Sequence, residues 1–188
     1  MTAETAEIPG YIAGTWDIDP VHSHIGFAAR HLMISKISGK FTRFEGQIIT
    51  ADDPLQSSAT ATLDMTSIDT SNAQRNSAVR AAGILDAAAC PTMTFRSTGV
   101  RLKGGRDFAV DGELTVRGVT RPIELAAEVN GFGPDPYGVT RAGFSAIGEI
   151  NRSDYGISVG RALPSCGLVI GKKIQLTIEV EASLRKEE

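Results

Sequence analysis

The residues able to do chemistry are few: three histidines, two cysteines and a scatter of arginines in 188 residues. His22 and His24 stand two apart. On a strand that spacing puts both rings on one face, which is half of a metal site. Spacing supplies no third ligand, so structural or surface histidines are the preferred reading. No metal or other cofactor is expected. Asp19, His22 and Ser23 have the residue types of a hydrolytic triad, but triad members usually come from separate segments. A turn held by Asx and Ser hydrogen bonds is the stronger reading. His31 is the one inward-facing acid/base candidate, bonded either to a ligand head group or to a buried backbone carbonyl. Arg75, near Asp69, either anchors a polar head or pairs locally. Cys90 and Cys166 lack the CxxC spacing of a zinc or redox site, and free thiols are preferred over a disulfide. Asn151–Gly156 has the polar side chains of a rim loop and no motif of known chemistry.

The elements that must position these groups are mostly strands. Phe108, Val110, Gly112, Leu114 and Val116 alternate with Asp107, Asp111, Glu113, Thr115 and Arg117, the period of a half-buried antiparallel strand. Arg117-Gly118-Val119-Thr120 is predicted to turn the chain into a second arm with Ile123, Leu125, Ala127 and Val129 inward. Pro122 lacks a donor, so it is expected at the start of that arm or at an unpaired position. Similar rows run through Ile25, Phe27, Ala29 and His31, through Ala59, Ala61, Leu63, Met65 and Ser67, and through Met93, Phe95, Ser97 and Gly99. Further rows are Ala142, Phe144, Ala146, Gly148 and Ile150, and Ile174, Leu176, Ile178, Val180 and Ala182. Phe41 and Phe44 are three apart, so a bulge must lie between them for both to face inward. Asn130–Gly138 reads as a Gly/Pro loop. One helix is predicted from Asn72 to Leu85, opened by a Ser71/Gln74 capping box.

About eight one-sided strands and one helix predict an all-β fold, an eight-stranded antiparallel barrel in preference to a sandwich. Residues 1–14 read as a loose arm and 15–188 as a single domain. The inward rows are rich in the small residues alanine, serine and glycine, which leaves volume in a wide ring. The larger inward residues would line an apolar tunnel: Ile25, Phe27, Phe41, Phe44, Leu63, Met65, Phe95, Leu114, Val116, Phe144, Ile150, Leu176 and Ile178. The competing outcome is a solid core capped by the helix.

The net charge of −3 argues against nucleic acid as a partner. The N-terminus has no basic and apolar leader pattern, and no apolar run is long enough to span a membrane. A cytoplasmic location is the expectation, with a homodimer open as an assembly.

The chain resembles the YceI-like family of lipocalin-like, polyisoprenoid-binding proteins. The resemblance covers about Trp16 to Ala182 and rests on the order and spacing of several short motifs. These are Asp19-Pro20-Val21-His22-Ser23; Gly39-Lys40-Phe41 with Phe44 and Gly46; Ser67-Ile68-Asp69-Thr70 with Arg75; Pro91-Thr92-Met93-Thr94-Phe95; Gly112 to Thr120; and Arg152-Ser153-Asp154-Tyr155-Gly156. It implies an extended lipocalin-like barrel with a long central tunnel that binds a polyisoprenoid, an isoprenoid quinone precursor or another amphiphilic lipid. Family members often carry Arg-Asp where this chain has Arg75-Asn76, and Arg161 to Cys166 is less typical. The leading expectation is therefore a lipid-binding protein and no enzyme. The alternatives are an enzyme modifying such a lipid through His31, or a ligand-free structural barrel.

Overall fold

The computed structural model describes residues 7–32, 34–158 and 170–186. Eleven strand segments form a single antiparallel sheet, and the pairing of β1 (Gly14–Ile18) with both β4 (Phe44–Thr50) and β11 (Ile170–Leu184) closes it. Three staves are broken strands. β1 and β2 (His24–His31) run in succession along β11, through Ile18↔Ala182 and His24↔Glu179. β3 (Ser35–Phe41) and β4 face them, and β5 (Ser58–Asp64) with β6 (Ile68–Asp69) faces β4 and β3. The ring is completed by β7 (Thr92–Gly104), β8 (Asp107–Val116), β9 (Val119–Pro134) and β10 (Thr140–Asn151). The result is a closed barrel of eight staves in up-and-down order, as the alternating rows predicted. The break at Thr42-Arg43 returns both Phe41 and Phe44 to the inner face, opposite Ile25 and Leu63.

The β8–β9 hairpin turns through Arg117 and Gly118 alone, at φ 54° and 73°. Both positive values are those of a type I′ turn, whose twist matches the flanking strands. Val119 and Thr120 are therefore in β9, not in the turn. Pro122 faces Glu113, and the β9–β10 ladder begins only at Ala126↔Ile147, so its missing donor has no strand to serve.

Several elements differ from expectation. The helix α1 spans only Ala73–Arg80, with Asn72 as its cap accepting from the Arg75 N–H at 2.9 Å. Ser71 sits at φ 59° one residue before that cap, its N–H bonded to Asp69. The helix buries no residue, and the chain leaves it at Ala81 to bury Leu85 and Ala87. The Ala59 row ends at Asp64, whose carboxylate caps a tight turn over Met65–Ser67. β9 continues to Pro134 and β10 starts at Thr140, so the connection is only Asp135–Val139. In β7 a register shift between Ser97 and Gly99 pairs Gly99 with the outward Asp111 and Val100 with the inward Val110; a bulge has exchanged their faces.

The core has two parts. One, around Leu63, Met65, Leu114, Val116, Ile123, Leu125 and Tyr155, lies toward the α1 end. The other packs Trp16, Ala142, Val180 and Ala182 with Ile12 and Phe132 at the opposite end. The described part of the expected loose arm, residues 7–13, lies on the barrel there. The Tyr11 hydroxyl donates to the Ala51 carbonyl at 2.6 Å, and its ring meets Phe132 edge-on.

Candidate functional site

The barrel encloses a cavity of about 750 Å³, in the upper range of ligand pockets. It runs the length of the barrel. Tyr11, Thr50 and Pro54 line it near the Trp16 end, and Thr70, Asn72, Gln74, Arg75 and Ile170 line it near the α1 end. β11, with 15 residues, reaches roughly 38 Å along the barrel axis at ~3.3 Å per residue and ~40° tilt. Asn72, Gln74 and Ala78 line the cavity and are themselves exposed, so it opens beside α1.

Small inward residues partly explain the space and partly consume it. Gly112 lies under the Phe95 ring, Gly39 under the Phe27 ring, and Gly148 beside Leu125. In each case the glycine makes room for a neighbour. The remaining volume lies between Ala59, Ala61, Ala127 and Ala146, all on the cavity wall.

Twelve of the fifteen residues singled out from the sequence lie on that wall: Ile25, Phe27, Phe41, Leu63, Arg75, Phe95, Leu114, Val116, Phe144, Ile150, Leu176 and Ile178. Phe44, Met65 and His31 do not. Phe44 packs into the core beside the cavity, and Met65, only 1% exposed, is buried in the turn that ends β5. His31 stands at the end of β2 opposite Ser35 and Ile170. Its Nε2 is buried without a hydrogen-bond partner among the described residues. The wall also includes residues the sequence reading passed over. Ile37 and Ile48 were legible from the alternation through Gly39, Phe41 and Gly46. Tyr11 and Ile157 lie in irregular segments with no periodic signal, and Ile84 lies in the stretch where the expected helix does not continue.

Arg75 does not pair with Asp69. Its Nη1 is 3.5 Å from the Thr70 carbonyl, and no carboxylate of the described residues pairs with it. Asp69 is engaged by the Ser71 N–H and the Asn76 amide, which hold its carboxyl below the ordinary value. Asn76 accepts from the Thr70 N–H at 2.8 Å and the Thr70 hydroxyl at 2.7 Å. The neutral side chain thus ties β6 to α1 by hydrogen bonds where an aspartate would bring charge. At the same end Arg152 donates to the carbonyls of Ile157, Ile170 and Gly171 at 2.7, 3.0 and 3.1 Å. The expected rim loop is therefore a clamp, closed by a short turn over Arg152–Tyr155 in which Tyr155 is buried. Burial and the nearby Asp154 raise the Tyr155 hydroxyl above its ordinary value.

The Asp19 cluster lies outside the barrel at the β1–β2 break. His22 Nδ1 is 2.9 Å from Asp19 Oδ2, while Ser23 Oγ donates to the Glu181 carbonyl and accepts from its N–H. Ser23 does not bond His22, so no triad is assembled. Asp19, His22 and Glu181 bring three ligand atoms within 4.8 Å of one another. The Arg141 guanidinium already occupies the carboxylates, at 2.9 Å from Asp19 and 3.6 Å from Glu181. His22 and His24 do not share a site: His24 packs over Gly26 of its own strand. Cys90 has no disulfide partner among the described residues, and Cys166 lies outside them.

No helix among the described residues is long and apolar enough to cross a membrane. The YceI-like domain family matches residues 16–182. A protein named YceI from Escherichia coli is 36% identical over 179 residues, which cover 93% of this chain and 90% of that protein. The crystal structure of BcnA from Burkholderia cenocepacia superposes with a TM-score of 0.77 at 22% identity, over 87% of this chain and 98% of BcnA. A polyisoprenoid binding domain from Saccharophagus degradans superposes with a TM-score of 0.70 at 17% identity, over 93% of this chain and all of that domain. A family match over most of the barrel, and a relative this similar across nearly its whole length, agree with the closed fold: the chain belongs to the YceI-like family.

Proposed function

We propose that this protein binds a long-chain amphiphilic lipid, of the polyisoprenoid or isoprenoid-quinone-precursor class, along the axis of its barrel. The observation that carries the reading is the apolar cavity of about 750 Å³ running from Tyr11 to Arg75. A solved structure of the same fold, described as a polyisoprenoid binding domain, supports the ligand class. Each buried CH₂ contributes ~0.8 kcal/mol, so ten supply ~8 kcal/mol, roughly micromolar binding before ordering costs. Tighter binding needs a longer tail or a polar anchor. Arg75, on the wall at the open end and without a carboxylate partner among the described residues, is the residue assigned to the head group. A binding role is favoured over turnover because His31 is not on the wall, whose charged groups among the described residues are Arg75, Arg152 and Glu128.

Native mass spectrometry of the purified protein, followed by organic extraction, tests the proposal. A bound prenyl lipid, or uptake of added polyprenyl alcohol, is expected. An empty barrel that also refuses added lipid overturns it.

A further inference from the structure

The charge of this molecule is unevenly placed. The α1 end is made by residues 30–36, 69–90, 117–121, 149–158 and 170–173, where strands end or begin. Those segments hold nine arginines and lysines against four carboxylates, Asp69, Asp86, Glu149 and Asp154. The whole chain nets −3, so the rest of the molecule is strongly acidic, and the barrel carries a field directed along its axis. On the outer face Arg30 stands directly opposite Lys36, a like-charge pair that costs stability in a sheet. Arg30, Lys36, Arg121 and Lys172 are all exposed.

The same rim carries an apolar tip. In the turn between β2 and β3, Ile34 is 83% exposed and Leu32 is 43% exposed. Leu32 takes φ 51°, a left-handed conformation that a side chain with a Cβ disfavours. An exposed aliphatic pair on a strained turn, ringed by cations, suits the boundary between lipid head groups and acyl chains. The tip stands beside the open end of the cavity, where Ala29, Ile37 and Ile170 line the wall.

We propose that the α1 end docks on an anionic bilayer surface. Leu32 and Ile34 enter the head-group layer, Arg30, Lys36, Arg121 and Lys172 meet lipid phosphates, and the cavity mouth faces the membrane. The purpose of this docking, exchange of a lipid chain between bilayer and barrel, rests on the binding reading above; the docking itself is tested independently of it.

The test is flotation of the full chain with vesicles of phosphatidylcholine alone and with about one-third phosphatidylglycerol. Binding is expected only with phosphatidylglycerol present, and it weakens as salt is raised. Each lost cation costs about fivefold in partitioning, so Arg30→Glu with Lys36→Glu lowers it about 25-fold or more. Lys172→Gln, a milder change, lowers it about fivefold. Ile34→Asp lowers it at least about fivefold. Tyr137→Asp, at an exposed turn on the opposite end, leaves it unchanged. No flotation with anionic vesicles at low salt, equal flotation with neutral ones, or an equal loss in Tyr137→Asp overturns the proposal. Vesicle binding by a protein that yields no lipid on extraction supports docking and removes the cargo. Extracted lipid without flotation overturns docking and leaves the cargo.

Discussion

Gly112 of β8 lies directly beneath the Phe95 ring of β7. A Cβ on Gly112 would run into that ring and stand 2.8 Å from the Arg96 carbonyl oxygen. The ring lines the cavity, but the carbonyl belongs to a paired strand. Gly112→Ala is therefore expected to cost about 1–3 kcal/mol, read as a lower urea midpoint at unchanged slope. An unchanged midpoint would show that the ring moves freely.

Trp16 plugs the end of the barrel away from α1. It is fully buried, and its indole N–H donates to Thr50 Oγ1 at 2.7 Å, which in turn donates to the Ile12 carbonyl at 2.7 Å. Trp16→Phe breaks the first link and leaves space behind it, at a cost of about 2–4 kcal/mol. Trp16 is the chain's single tryptophan, so in the unmutated protein its fluorescence reports the same end. Its emission should be blue-shifted in the native state and move red in one cooperative step with urea.

The Asp19 cluster predicts two pH limbs. The bond from His22, helped by the Val21 N–H and Arg141, holds the Asp19 carboxyl down to about 2 from an ordinary value of 3.8. A depressed carboxylate contributes stability that is present above its unfolded value and lost as pH falls through the folded one. That limb therefore lies between about pH 4 and pH 2. The bond to Asp19, with the charges of Asp19 and Glu181, raises His22 above its ordinary 6.5. Its contribution is present below 6.5 and is lost as pH rises through the raised value. Asp19→Asn should flatten the acid limb and bring His22 back toward 6.5 in an NMR titration. A His22 titration that does not move would sink this account.

Arg152 supplies the donors for three carbonyls that flank the α1 end. Arg152→Met keeps much of the side-chain length and removes every donor. Unpaired polar groups in a partly buried setting cost ~1–3 kcal/mol each, so a loss of at least about 3 kcal/mol is expected in thermal or urea unfolding. Hydrogen exchange should speed at the amides of β11 near Gly171. Exchange that is unaltered there would mean that water replaces the guanidinium.

Two substitutions on the cavity wall separate packing from capacity. Leu114 has the core on one side and the cavity on the other. Leu114→Ala should cost near the lower end of the core range, about 2–3 kcal/mol, because part of its surface already lacks packed neighbours. Ala146→Phe fills space instead of creating it. Calorimetry should show little loss of stability, while lipid recovered by extraction falls several-fold. Undiminished lipid recovery from a folded Ala146→Phe protein would place the ligand elsewhere.

The chain's own order of residues determined the staves and most of the wall. Period-two alternation is a local property, and a residue such as Leu114 or Ile178 faces inward wherever its strand lies. Hairpin chemistry was local too, as at Gly118. Tertiary structure alone decided the parity at irregularities: the bulge after Ser97 sends Gly99 out and Val100 in, because pairing with β8 overrides counting. It alone decided that the predicted helix stops at Arg80, since Leu85 gains more by entering the core than by extending an exposed helix. Ring closure was likewise beyond the linear pattern. Trp16, Tyr11 and Phe132 share one end only because β1 meets both β4 and β11. The enclosed volume follows from that closure: small inward residues leave space only once eight staves surround them.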